Sequence, residues 1–162
     1  MLKKLKKITR IVNFFLIPSL TIIISLFAEV FPFRISNFSL FIPLFLYITL
    51  YYWITYRPRA VPYLFVFFIG LLKDILNSNI WGLSSLCLLF FQILIKSQRK
   101  YIYNRVFVVV WSGFMFSLAL MLLIPLILDK FTINVISIQW LISVLAYVPI
   151  HWLLNKLDNY KA

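Results

Sequence analysis

Six apolar runs, separated only by short polar or basic connections, constrain this chain more than any other feature. They fall at residues 11–30, 38–56, 60–76, 80–95, 106–128 and 133–154. A transmembrane helix needs about 20 predominantly apolar residues, so six of them consume nearly all of the 162 residues. Barrel strands would alternate apolar and polar side chains, and runs such as Val106-Phe107-Val108-Val109-Val110-Trp111 do not. The reading is an all-α integral membrane protein in which residues 1–162 form one polytopic domain, a single bundle of six transmembrane helices. Only 12% of the residues are charged and 64% are hydrophobic, which leaves no material for an extramembrane catalytic domain.

The punctuation between the runs sets an orientation. Lys3, Lys4, Lys6, Lys7 and Arg10 precede the first run, which reads as an uncleaved helix because it is long and Leu26 stands two before Ala28, where a cleavage site needs a small residue. Glu29, Pro32 and Arg34 mark its far end. Tyr51-Tyr52-Trp53 and then Arg57-Pro58-Arg59 close the second run, as expected at a membrane–water boundary. Pro62 sits in the first turn of the third run, where a missing N–H costs little. Lys96, Arg99, Lys100 and Arg105 follow the fourth, and Lys156 and Lys161 the sixth. With both termini in the cytoplasm, 13 basic residues lie inside and only Arg34, Lys73 and Lys130 outside. The positive-inside rule therefore accounts for the net charge of +12 without nucleic acid. The expected location is a bacterial cytoplasmic (inner) membrane. The inner basic residues Lys3, Lys4, Lys6, Lys7, Arg10, Arg57, Arg59, Lys96, Arg99, Lys100 and Arg105 are candidate contacts for anionic lipids or a cytoplasmic partner.

Chemistry-bearing residues are scarce. His151 and Cys87 are each the only one of their type, so no Cys/His zinc set is expected and no Ser-His-Asp set can be argued. No Gly-rich phosphate loop is present. The chain reads as a non-enzyme with no cofactor and no metal. His151, beside Trp152, reads as interfacial, and Cys87 as a small packing residue.

The third and fourth runs hold the most unusual pattern. Gly70, Asp74 and Asn77 lie at i, i+4, i+7, a spacing that shares one helix face. Gly82, Ser85, Leu89 and Gln92 share a face of the next helix. A few residues join the two runs, so they form an antiparallel hairpin in which Gly70 and Gly82 each bring backbone close to a neighbour. Gly70, Asp74, Asn77, Gly82, Ser85 and Gln92 form a candidate partner or packing site. Asp74 has two readings: a polar anchor in a helix interface or cavity mouth, or a solvated helix-end carboxylate with Lys73 snorkelling beside it. Gly113 with Ser117, and Gln139 with Ser143 and Tyr147, form further small or polar stripes.

These residues carry a resemblance. Pro43-Leu44-Phe45-Leu46-Tyr47 leading to Tyr52-Trp53 and Arg57-Pro58 is similar to a proline-led segment of the rod shape-determining protein MreD family. Gly70-Leu71-Leu72-Lys73-Asp74, a short gap, then Gly82-Leu83-Ser84-Ser85-Leu86 resembles that family's Gly-x-x-x-Asp and Gly-x-x-(small)-Leu segments. The resemblance implies a fold similar to the substrate-binding S-component of energy-coupling-factor (ECF) vitamin transporters. It also implies a membrane scaffold or regulator of the rod complex, or elongasome, supporting peptidoglycan synthesis and rod shape. Implied partners are an MreC-like periplasmic scaffold, a RodA-like glycosyltransferase, a class B penicillin-binding transpeptidase and MreB.

Two other functions compete. A small-molecule or vitamin-binding transporter subunit needs convergent polar groups in an apolar pocket, for which Asp74, Gln92, Gln139 and Tyr147 are the candidates. An ion or proton pathway needs ionisable groups in mid-membrane, and Asp74 alone approaches that.

Overall fold

The computed structural model describes the backbone of residues 2–33, 43–77, 82–102, 106–127 and 133–159, with side chains for most of them. Among the described residues the chain is all-helical, with six α-helices: α1 (Leu2–Phe33), α2 (Phe45–Tyr56), α3 (Tyr63–Asn77), α4 (Leu83–Ile102), α5 (Phe107–Ile127) and α6 (Ile133–Asn159). A single 3-10 turn, Pro58–Ala60, links α2 to α3.

Helix ends follow local chemistry more than hydrophobicity. Neither Pro43 nor Pro62 is taken into a helix; α2 starts at Phe45 and α3 at Tyr63, so both are shorter than their apolar runs. In contrast, α4 continues through Lys96-Ser97-Gln98-Arg99-Lys100, since Lys, Gln and Arg are good helix formers. The same reasoning extends α1 back through the Lys-rich start and α6 onward to Asn159. At 1.5 Å per residue, the 12 residues of α2 and 15 of α3 make only about 18 and 22 Å. Two stretches, Phe107–Ile124 and Ile133–Asp158, are by themselves long and apolar enough to cross a membrane.

Side-chain pairs fix the relative directions. Glu29 with Leu46, Ser25 with Thr49 and Thr21 with Trp53 set α1 antiparallel to α2. Phe67 with Ser85, and Asp74 with Ser84, set α3 antiparallel to α4. Leu44 with Ser143, and Arg57 with Asp158, set α2 parallel to α6. Trp111 with Val144 and Trp140 with Met115 set α5 antiparallel to α6. The upper end of the bundle is the end where α2, α4 and α6 begin.

The core is built around α2, which packs against α1, α4, α5 and α6. Its residues Ile48 to Thr55 are all buried, with Tyr51 and Trp53 fully so. Tyr51 meets Phe114 and Tyr147 edge-on, and its hydroxyl donates to the Val110 carbonyl. The Trp53 indole N–H donates to Thr21 Oγ1 at 2.7 Å. The polar tips of Tyr51 and Trp53 thus find partners, as burial requires. Outward faces remain apolar: Leu64 and Phe68 on α3, Leu86 and Phe90 on α4, Leu141 and Leu145 on α6 are all exposed.

Candidate functional site

In the upper half of the bundle, three polar side chains, Ser143, Glu29 and Asp74, hold two helix starts. The first is α2. Its N-terminal N–H groups lack partners within the helix, and apolar surroundings make unpaired donors costly. The Leu44 N–H donates to Ser143 Oγ at 2.9 Å, and the Leu46 N–H donates to Glu29 Oε2 at 3.1 Å. Ser143 lies about ten residues into α6. The start of α2 is therefore set about 15 Å below the start of α6, and side chains of α1 and α6 supply what solvent would.

Glu29 has a second role. Its Oε1 accepts from Lys73 Nζ of α3 at 2.6 Å, and both side chains are about one-tenth exposed. The Lys73 ammonium also stands 5.1 Å from the centre of the Tyr47 ring. One buried ion pair thus joins α1, the start of α2 and α3. The carboxylate sits where the α2 dipole favours negative charge.

Asp74, next in sequence, faces α4. Its carboxylate is fully buried and accepts from the N–H of Gly82 at 2.8 Å and of Ser84 at 3.1 Å. It acts as a cap for α4 supplied from α3. The solvated helix-end reading of Asp74 is therefore corrected, and so is snorkelling of Lys73. Burial forces both groups to take partners inside the chain. Glu29, read from sequence as marking the far end of α1, is likewise buried and paired. The signal was present: Ile22, Ser25 and Glu29 lie at i, i+3, i+7, and all three are buried.

The two glycines differ. A Cβ on Gly70 would collide with the backbone of Ser85, its Cα and its N at 2.7 Å. α3 and α4 touch there, and Ser85 Oγ donates to the Phe67 carbonyl at 3.1 Å. Gly82 makes no close approach; a Cβ there would meet nothing within 4 Å. Glycine serves at that position through its φ of +91°, which turns the chain into α4 beneath Asp74. Close approach expected at both glycines holds at Gly70 only.

Gln92 is fully buried and its amide donates to the Val61 carbonyl at 2.8 Å, joining α4 to the turn before α3. Asn77 is half-buried at the end of α3. The Ser117 hydroxyl lies within hydrogen-bond distance of both the Gly113 carbonyl and Gln98 Oε1, placing α5 against α4. Asp74, Gln92 and Tyr147, proposed above as convergent pocket groups with Gln139, each hold a different partner: the α4 start, Val61 and His151 Nδ1. His151 is half-buried among Tyr52, Tyr56, Phe107 and Tyr147.

The basic residues divide. Arg57 pairs with Asp158 and lies over the Trp53 ring, and Arg99 Nε donates to the Thr55 carbonyl at 2.9 Å. Arg59 and Lys100 are exposed. Lys96 lies 3.6 Å from the centre of the Tyr63 ring. Arg105 lies outside the described residues, as do the side chains of Lys3, Lys4, Lys6, Lys7 and Arg10.

Chemically, this arrangement fixes helices: Glu29, Lys73, Asp74 and Gln92 each hold a partner within the chain. Among the described residues no group of three His, Cys, Asp or Glu could hold a metal. The family model described as rod shape-determining protein MreD matches residues 9–160. No curated protein and no solved structure matches the chain.

Proposed function

The chain belongs to the rod shape-determining protein MreD family, and from that premise we propose that it is a non-enzymatic membrane scaffold of the rod complex, supporting cell-wall synthesis through helix–helix contact. The family determines rod shape. The carrying observation is where the polar groups go. Glu29, Lys73, Asp74, Ser85 and Gln92 are all buried and bonded within the chain. They stiffen the bundle and present apolar outer faces to partner helices or lipid. The hairpin glycines and Asp74 then act on partners indirectly, by holding α3 and α4 in place.

The scaffold spans the bacterial inner membrane six times with both termini inside. Support comes from the alternating helix directions and the 13-to-3 distribution of basic residues. The short α2 and α3 fit this reading because their starts are sealed by neighbouring side chains, the condition under which irregular backbone is tolerated at membrane depth. The partners are an MreC-like periplasmic protein, the RodA-like glycosyltransferase and its class B transpeptidase. The surface offered to them is α6, whose apolar stretch is only 17% buried within the chain. Leu141, Leu145 and Trp152 line that surface.

The test is rod-shape rescue in a cell lacking the gene, with co-purification of the tagged protein in mild detergent. Leu141→Ala, Leu145→Ala and Trp152→Ala together should reduce partner recovery and rod shape while the protein stays membrane-inserted and as heat-stable as wild type. Full rescue and full recovery with the triple variant would move the contact surface off α6.

A further inference from the structure

The lower end of the α3–α4 hairpin is recessed. Antiparallel pairing of Phe67 with Ser85, and of Val61 with Gln92, sets the start of α3 level with Gln92. α4 continues for ten more residues to Ile102, about 15 Å beyond that level. The end of α2 also extends below it, since the Thr55 carbonyl is met by Arg99, seven residues further along α4 than Gln92. The chain turns back upward through Pro58–Ala60, with Ala60 and Val61 buried. The start of α3 therefore sits in a notch roofed by the lower part of α4 and the α2–α3 turn.

Cations edge this notch. Lys96 and Lys100 share a face of α4 one turn apart. The Lys96 ammonium is held against the Tyr63 ring, at the first residue of α3. Arg59 is exposed on the turn four residues earlier. Exposed apolar side chains run upward from the cations: Tyr63, Leu64 and Phe68 on α3, Phe90 and Ile93 on α4. The described residues of this notch and face include no acid below Asp74.

We propose that this notch is a site for one anionic phospholipid. Its phosphate lies between Arg59, Lys96 and Lys100, with an acyl chain along Leu64, Phe68 and Ile93. A cation over an aromatic face keeps N–H groups free for a second partner, so Lys96 serves both Tyr63 and the phosphate. The exposed apolar face continuous with the cations selects a lipid over free phosphate or an acidic protein, neither of which uses it. The inference rests on the membrane reading of the chain, and is independent of the rod-complex role.

The experiment is native mass spectrometry of the detergent-purified protein with equal amounts of phosphatidylglycerol and phosphatidylethanolamine. Wild type should retain one phosphatidylglycerol in preference by about tenfold or more. Each cation near an anionic group is worth about fivefold, so Arg59→Gln/Lys96→Gln/Lys100→Gln should abolish the preference. Lys96→Arg should keep it. Lys156→Gln, at the same end but over Trp152, should change it less than twofold. Excess inorganic phosphate should leave the lipid bound. Absence of an anionic preference, an equal loss in Lys156→Gln, displacement by inorganic phosphate, or an acidic protein retained in place of lipid would each overturn the site. Carbonate-resistant membrane association, recorded for the same variants, shows separately whether the membrane reading holds.

Discussion

Breaking the Glu29–Lys73 pair gives the sharpest test of how this bundle is held. The charges are 2.6 Å apart and their side chains about one-tenth exposed. Removing one partner of a buried pair costs about 3–5 kcal/mol, because the survivor stays charged and uncompensated. Replacing both with uncharged groups of similar volume is often near neutral. In this protein both survivors have partial relief. Lys73 keeps the Tyr47 ring in Glu29→Gln, and Glu29 keeps the Leu46 N–H and the start of α2 in Lys73→Met. Each single variant is therefore expected at the low end, about 3 kcal/mol. The double variant retains an amide oxygen for Leu46 and loses both charges, so about 1 kcal/mol is expected. The coupling energy is then about 5 kcal/mol. Reversible unfolding in mixed micelles, followed by tryptophan fluorescence, measures it. Ordinary interhelical hydrogen bonds in membranes couple by only about 0.6 kcal/mol on average. A coupling near that value would refute the claim that an ion pair locks α1 to α3.

Other perturbations separate the parts of the hairpin. Gly70→Ala forces α3 off the Ser85 backbone and should cost about 2 kcal/mol even after the gain in helix propensity, read as lower stability in the same micelles. Gly82→Ala meets no atom and should cost about 1–2 kcal/mol through its left-handed φ alone; a larger loss than for Gly70→Ala would reverse the assignment of the two glycines. Asp74→Ala strips the acceptor from two N–H groups at the start of α4, at about 2–3 kcal/mol, while Asp74→Asn keeps one acceptor oxygen and should cost about half. The single cysteine, Cys87, half-buried on α4, reports this directly: its alkylation should speed up in Asp74→Ala and much less in Asp74→Asn. Arg57→Ala should loosen the lower ends of α2 and α6, seen as faster proteolysis after residue 150, and Asp158→Asn should reproduce it if the pair is what matters.

What the residues dictated by themselves was class and punctuation. Long apolar runs compel helices wherever backbone groups must be satisfied without water, and six such runs became six helices among the described residues. The hairpin of the third and fourth runs was also legible, since a short connection between two helices leaves little choice. Helix ends were less so. Composition stops the fourth run at 95, yet backbone hydrogen bonding carries α4 to Ile102 because basic residues propagate a helix well.

Partner choice needed the tertiary structure. Asp74 was visible as a lone acid on an interior stripe, but whether it met water, a partner or its own chain depends on a turn eight residues away in sequence. Glu29 and Lys73 read as boundary residues because each stands near the end of its own run. They pair beside the start of α2, which lies about 15 Å below that of α6, and Glu29 also accepts from the Leu46 N–H there. Periodicity reports which face of one helix is apolar. It carries no information about the height at which a neighbouring helix begins, and in this protein that height decides which charges are buried and what they hold.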